Sequence, residues 1–258
     1  MRRSMMSYET IQFVREGPVG ILTFNRPEAM NAMNYVMINE FRDFFHDRFR
    51  DHDTRVIVVT GAGKAFNAGM DMNDLANFIP PGGFKPKAVY EFQKLFSDFI
   101  LFMRRCPQPI IGAINGGAAG AGLSIAMACD VRIATPQAKF IAAYINIGTG
   151  GADMGSSWLF PRIVGAGNAA RYLMTGDKFS ADEAYRIGFV QAVVEKDLLM
   201  EEAMKMAQTM AGKSPIGLRL TKEALNRNTG GLSLEDAVML EDRNQAMCMV
   251  EMTSQNAG

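Results

Sequence analysis

The stretch NGGAAGAGLSIAMACD, residues 115–130, sets four glycines ahead of an almost unbroken run of small and apolar residues, with Ser124 alone in the middle. With the apolar run at 110–114 before it, the pattern predicts a strand, a tight turn and a buried helix. Glycine permits positive φ and close backbone approach. The first N–H groups of a helix have no internal partner and lie at the positive pole of its dipole. The stretch therefore predicts an anion site built from backbone alone; a tightly packed core helix is the plainer alternative.

The local sequence narrows the anion. A dinucleotide pyrophosphate needs GxGxxG, but GAGLSI lacks the last glycine, and no acidic residue follows roughly 20 positions on. GAGKAF at 61–66 falls short of a P-loop, because Val58 stands where the first glycine belongs and Ala65 where Ser or Thr would follow Lys64. What remains is an oxyanion, a carbonyl oxygen that gains negative charge during reaction.

Around this segment, residues 8–14 and 20–24 read as strands separated by the turn EGPV. Met37, Phe41, Phe44, Phe45 and Phe49 form a helical stripe over 36–49. RVIVVT at 55–60 is a buried strand, followed by the glycine-rich loop GAGKAFNAGMD. A PPGG loop at 80–83 precedes a helix over 88–105, which Pro107 and Pro109 end. Strands follow at 131–134 and 140–144, then a helix from about Asp153 and a strand at 190–194. Beyond Lys196 the chain reads as helical almost to its end. Strands alternating with helices predict an α/β fold with parallel pairing.

The 258 residues fit one large α/β domain or two small ones. Lys plus Arg and Asp plus Glu balance at 27 each, so charge gives no reason to expect nucleic acid or an anionic membrane as partner. Cys106, Cys129 and Cys248 are too scattered for a disulfide framework. With no signal-peptide pattern and no apolar window of membrane-spanning length, they predict a cytoplasmic protein. The two histidines, His46 and His52, both belong to the early helical region. That argues against a Ser–His–Asp triad at Ser124 and against a histidine metal site.

Four ordered stretches now coincide: LTFNRPEAMNAM (22–33), VIVVTGAGKAFNAGMDM (56–72), PIIGAINGGAAGAGLSIAMACDVRIA (109–134) and LFPRIVGAGNAARYLMTGDKFSADEAYRIGFVQAVV (159–194). Together they span roughly 175 residues and resemble the crotonase superfamily, the enoyl-CoA hydratase/isomerase family. The resemblance implies an α/β spiral of ββα units over residues 1–195. It implies a helical region over 196–258 that builds a homotrimer or dimer of trimers and closes the site. It implies an acyl-CoA substrate whose coenzyme A is part of the substrate, with no separate cofactor and no metal. The thioester enolate oxygen would be held by the backbone N–H groups of Met70 and Ala121, beside Gly69 and Gly120. Ala68, Asp71 and Met72 would lie along the acyl-CoA, and Arg26 and Ala29 near its nucleotide. Asp71 also reads as a loop or helix cap.

The chain departs from the family at its acids. Typical hydratases carry two glutamates; the corresponding positions here are Ser124 and Tyr144. Paired acid/base catalysis of hydration is thereby in doubt. Ser124 reads as a hydrogen-bonding group within its helix or as one that orients water. Tyr144 reads as a substrate donor or, preferentially, a core aromatic. Asp153 remains, either as an N-cap or as the base; the resemblance to isomerase branches favours the base. A single carboxylate suffices for enoyl- or dienoyl-CoA double-bond isomerisation. Hydration through Asp153 and water is the alternative, and an acyl-CoA binding protein without turnover is the reading from a different class.

Overall fold

The computed structural model describes residues 8–74, 77, 85–231 and 233–255. β1 (Ile11–Glu16) and β2 (Val19–Phe24) form a hairpin, and α1 (Tyr35–Asp47) follows. A unit of two strands and a helix then repeats. Its first copy is β3 (Val56–Gly61), β4 (Ala65–Asn67) and α2 (Pro86–Arg105). The second is β5 (Ile110–Ile114), β6 (Gly117–Ala119) and α3 (Ala121–Ala128). The third is β7 (Val131–Ala134), β8 (Lys139–Ile141) and α4 (Ser156–Val164). After these come α5 (Ala166–Thr175), β9 (Lys178–Ser180), α6 (Ala181–Arg186) and β10 (Ala192–Val193). Three helices end the described chain: α7 (Leu199–Ala211), α8 (Pro215–Asn228) and α9 (Leu234–Gln255).

Each unit sends its first strand to one sheet and its second to another. The larger sheet has the order β1-β2-β3-β5-β7-β10, parallel from β2 onward. The smaller has the order β4-β6-β8-β9, parallel except for β9. The chain thus winds as the spiral expected from the sequence. β3 and β5 are apolar along nearly their whole length because both faces of the large sheet are covered. On one face lie α1 and the main core; Met37, Ile38, Phe41, Phe44 and Phe45 of α1 are buried there. On the other lies α7. Its Ala203, Ala207 and Ala211 recur every fourth residue and pack on Val56, Val58 and Ile111. Helical residues beyond 195 therefore complete the core of the sheet.

The opening segment is held by its position between layers. All eight residues of α3 are buried, so the helix needs no polar face. A Cβ at Gly122 would sit 2.0 Å from the carbonyl oxygen of Asn67. Only glycine lets α3 press on β4 that closely.

α8 is fastened to the core by charge. Lys222, 6% exposed, places Nζ 2.8 Å from Asp130 Oδ2 and donates to the carbonyl of Gln108 at 2.8 Å. Arg104 of α2 donates to the other Asp130 oxygen at 3.1 Å. α9 packs on α8 and exposes Leu234, Val238, Met239, Met247, Met249 and Val250. Among the described residues no helix is long and apolar enough to cross a membrane.

The structure moves several expected boundaries. The strand expected at 140–144 ends at Ile141, and Tyr144 is the N-cap of a 3-10 turn over Ile145–Ile147. The helix expected from Asp153 begins at Ser156. The strand expected at 190–194 shortens to Ala192–Val193, and that expected from residue 8 begins at Ile11. The PPGG loop lies outside the described residues.

Candidate active site

A cleft of about 460 Å³ opens where the spiral turns meet. Ala68, Gly69, Met70 and Met72 come to it from the loop after β4, and Gly120 and Ala121 from the junction of β6 and α3. Tyr144 and Asp153 enter from the segment between β8 and α4. Ser124 sits directly behind Tyr144, fully buried. Arg26, Ala29 and Asp71 do not line the cleft.

The loop at 68–70 is locked by backbone. Ala68 N–H donates to Met30 O at 3.2 Å, Met33 N–H to Gly69 O at 2.7 Å, and Asp71 N–H to Met33 O at 3.1 Å. Gly69 has φ +91°, and a Cβ there would lie 2.8 Å from Ala119 O and 3.4 Å from Ala121 N. Glycine thus lets the loop lie against the start of α3. Met70 and Ala121 line one cleft, and the backbone N–H of neither donates in the hydrogen bonds found among the described residues.

Asp71 braces this loop. Its Oδ1 accepts from Asn73 N–H at 3.0 Å, and its Oδ2 lies 2.9 Å from Arg26 Nη1. The same Arg26 nitrogen donates to Ala32 O at 2.6 Å. The loop-cap reading of Asp71 describes these contacts.

Asp153 is the only carboxylate that lines the cleft among the described residues. It does not cap α4: the N-cap is Gly155, which makes no side-chain capping bond. Instead Asp153 Oδ1 accepts from Met154 N–H at 2.7 Å and from the side-chain amide of Gln93. Its backbone N–H donates to Ser156 Oγ at 3.0 Å. No described hydrogen bond uses Oδ2. Burial pushes the Asp153 carboxyl above its ordinary range, while the Met154 and Gln93 bonds pull it down. Met154, 5% exposed, holds φ +49°, a strained value for a side-chain-bearing residue.

Two features were not legible from sequence. Gln93 lies on the exposed side of α2, where nothing distinguishes it from a surface residue. Tyr144, read as a core aromatic, is 6% exposed, but its hydroxyl donates to Gly120 O at 2.7 Å and also meets Ser124 Oγ. Apolar walls come from Phe92 and Phe96 of α2, whose rings meet edge-on with centroids 5.2 Å apart, and from Ile147 and Met154.

A backbone donor pair beside a half-buried carboxylate suits enolate chemistry on a carbonyl. A sequence model described as enoyl-CoA hydratase/isomerase matches residues 15–257. The chain belongs to the enoyl-CoA hydratase/isomerase family. A Mycobacterium tuberculosis protein named "Probable enoyl-CoA hydratase" is 36% identical over 245 residues, covering 94% of this chain and 85% of its own. The 1,2-epoxyphenylacetyl-CoA isomerase of Escherichia coli is 34% identical over 211 residues, covering 82% of this chain and 79% of its own. A solved structure from Mycobacterium abscessus, described as a probable enoyl-CoA hydratase/isomerase, superposes with TM-score 0.86 at 36% identity. That match covers 94% of this chain and 91% of the other. The crotonase-type α/β spiral expected from the sequence is thus the fold of the chain, and the protein is an enzyme of the hydratase/isomerase family.

Proposed function

We propose that this family member shifts the double bond of an enoyl- or dienoyl-CoA thioester, with Asp153 as the only acid/base. The observation that carries the reading is that Asp153 is the only carboxylate lining the cleft among the described residues, with Ser124 and Tyr144 bonded to each other at the positions that the family resemblance matches to glutamates. The Met70 and Ala121 N–H groups hold the thioester oxygen as it becomes an enolate. Asp153 Oδ2 takes a proton from one carbon and returns it to another. No water is added, so no second acid is needed. The apolar walls favour a hydrocarbon acyl group. The exposed apolar side chains of α9 support assembly as a homotrimer or dimer of trimers.

The test is mass spectrometry of enoyl-CoA thioesters incubated with the protein in deuterated water. The expected result is deuterium uptake into an isomer of unchanged composition. Addition of one water instead identifies a hydratase working through Asp153. Neither change, with thioester binding intact, refutes turnover of this kind.

The acid limb of the pH profile probes Gln93. A base works only when ionised, so the rate falls as pH drops through the raised Asp153 pKa. Gln93→Leu removes a bond that lowers this pKa. The acid limb of kcat/KM is therefore expected at higher pH than in wild type. An unmoved or lowered midpoint contradicts the assignment of Asp153 as base or of Gln93 as its hydrogen-bond partner.

A further inference from the structure

We infer that Tyr144, with Ser124 behind it, is a positioning residue that aims and strengthens the Ala121 N–H as an oxyanion donor. The inference rests on the proposed role of Met70 and Ala121. Tyr144 Oη lies 2.7 Å from Gly120 O. A phenol has one proton, and Gly120 O can only accept. The phenol proton therefore goes to Gly120 O, and Ser124 Oγ donates to Tyr144 Oη in turn. Gly120 O also accepts the first helical bond of α3, from Ser124 N–H at 3.1 Å.

Gly120 C=O and Ala121 N–H are the two ends of one planar peptide unit. A donor at the oxygen end draws electron density through the amide and makes the N–H more positive. Chained hydrogen bonds of this kind strengthen one another by about 10–30% per bond. The bond also fixes the plane of the peptide and hence the direction of the N–H. Ser124 is fully buried and Tyr144 is 6% exposed, so water does not compete for these groups. Burial also pushes the Tyr144 hydroxyl far above its ordinary pKa, so it stays a donor throughout the working range. The two positions that carry carboxylates in hydratases here act on the substrate oxygen through the backbone.

The test is vibrational difference spectroscopy of a saturated acyl-CoA carrying a ¹³C-labelled thioester carbonyl, bound to wild type, Tyr144→Phe and Ser124→Ala. In wild type the carbonyl stretch is expected to move to lower frequency on binding. In Tyr144→Phe that shift is expected to shrink, with kcat down about three- to tenfold and KM nearly unchanged, the range of one hydrogen bond. Ser124→Ala, which keeps the phenol in place, is expected to fall between and covers the case of a Phe variant that folds poorly. A purely structural role would lower the melting temperature and leave the carbonyl frequency at its wild-type value. Wild-type frequency and kcat in both variants overturn the inference. No shift in wild type itself overturns the oxyanion assignment beneath it.

Discussion

Asp153→Asn is expected to cut turnover by about 100- to 10,000-fold, the range of a lost general acid/base. The substitution preserves shape. Asn Oδ1 can still accept from Met154 N–H and Gln93, the two contacts that orient the aspartate. What changes is the other side: an amide nitrogen replaces Oδ2, which accepts no hydrogen bond among the described residues. An amide does not accept a proton at working pH. The affinity for a saturated acyl-CoA should therefore stay within about threefold of wild type, because the lost interaction belongs to the transition state. Steady-state kinetics beside calorimetric binding separate the two quantities. Full activity in the Asn variant would remove Asp153 from the chemistry.

Gly69→Ala should be nearly as damaging, by a different route. The backbone there has φ +91°, where a side chain is strained, and the added carbon would lie 2.8 Å from Ala119 O. The atoms it would meet, Ala119 O and C and Ala121 N, are all backbone and leave little room to relax. The loop must move off the start of α3 and carry the Met70 N–H with it. Losing one such donor costs on the order of 100- to 1,000-fold in kcat. The remaining loop bonds to residues 30–33 should keep the protein folded, which circular dichroism would confirm. A kcat within a few fold of wild type would show that Met70 N–H does not meet the reacting oxygen.

The sequence was legible where a pattern had room to repeat. Ile110–Ile114 is apolar, Val131–Ala134 is apolar but for Arg132, both carry β-branched residues, and both appear with the expected ends. The small sheet was largely hidden, with only β8 foreshadowed by the strand expected at 140–144. β4, β6, β8 and β9 have three residues each, too few for alternation to register. Their strand geometry comes from pairing with turns of the chain far away in sequence. At the site, glycine-rich motifs marked the two stretches that bring Met70 and Ala121 to the cleft, and Asp153 stood out as an acid near a helix start. That acid was open to reading as a cap because the sequence does not show that the helix begins three residues later. Gln93, 60 residues before Asp153, reaches it only because α2 packs across the cleft. No local signal encodes that meeting.

The donors read here as gripping the substrate oxygen belong to the main chain, and a main-chain group survives almost any replacement of its own side chain. Only the points that shape its path, such as Gly69 and Gly122, tie it to sequence. Positions 124, 144 and 153 are different: they reach the site through side chains, Ser124 from α3 and Tyr144 and Asp153 from the segment between β8 and α4, so exchanging one changes its chemistry without redrawing the path of the main chain. Under the proposed function, a spiral built this way would keep its hold on a thioester while the side chains that move the proton change around it. In this chain hydroxyls stand at 124 and 144, the positions that the family resemblance matches to two glutamates, and under the proposed function Asp153 is left to handle the proton.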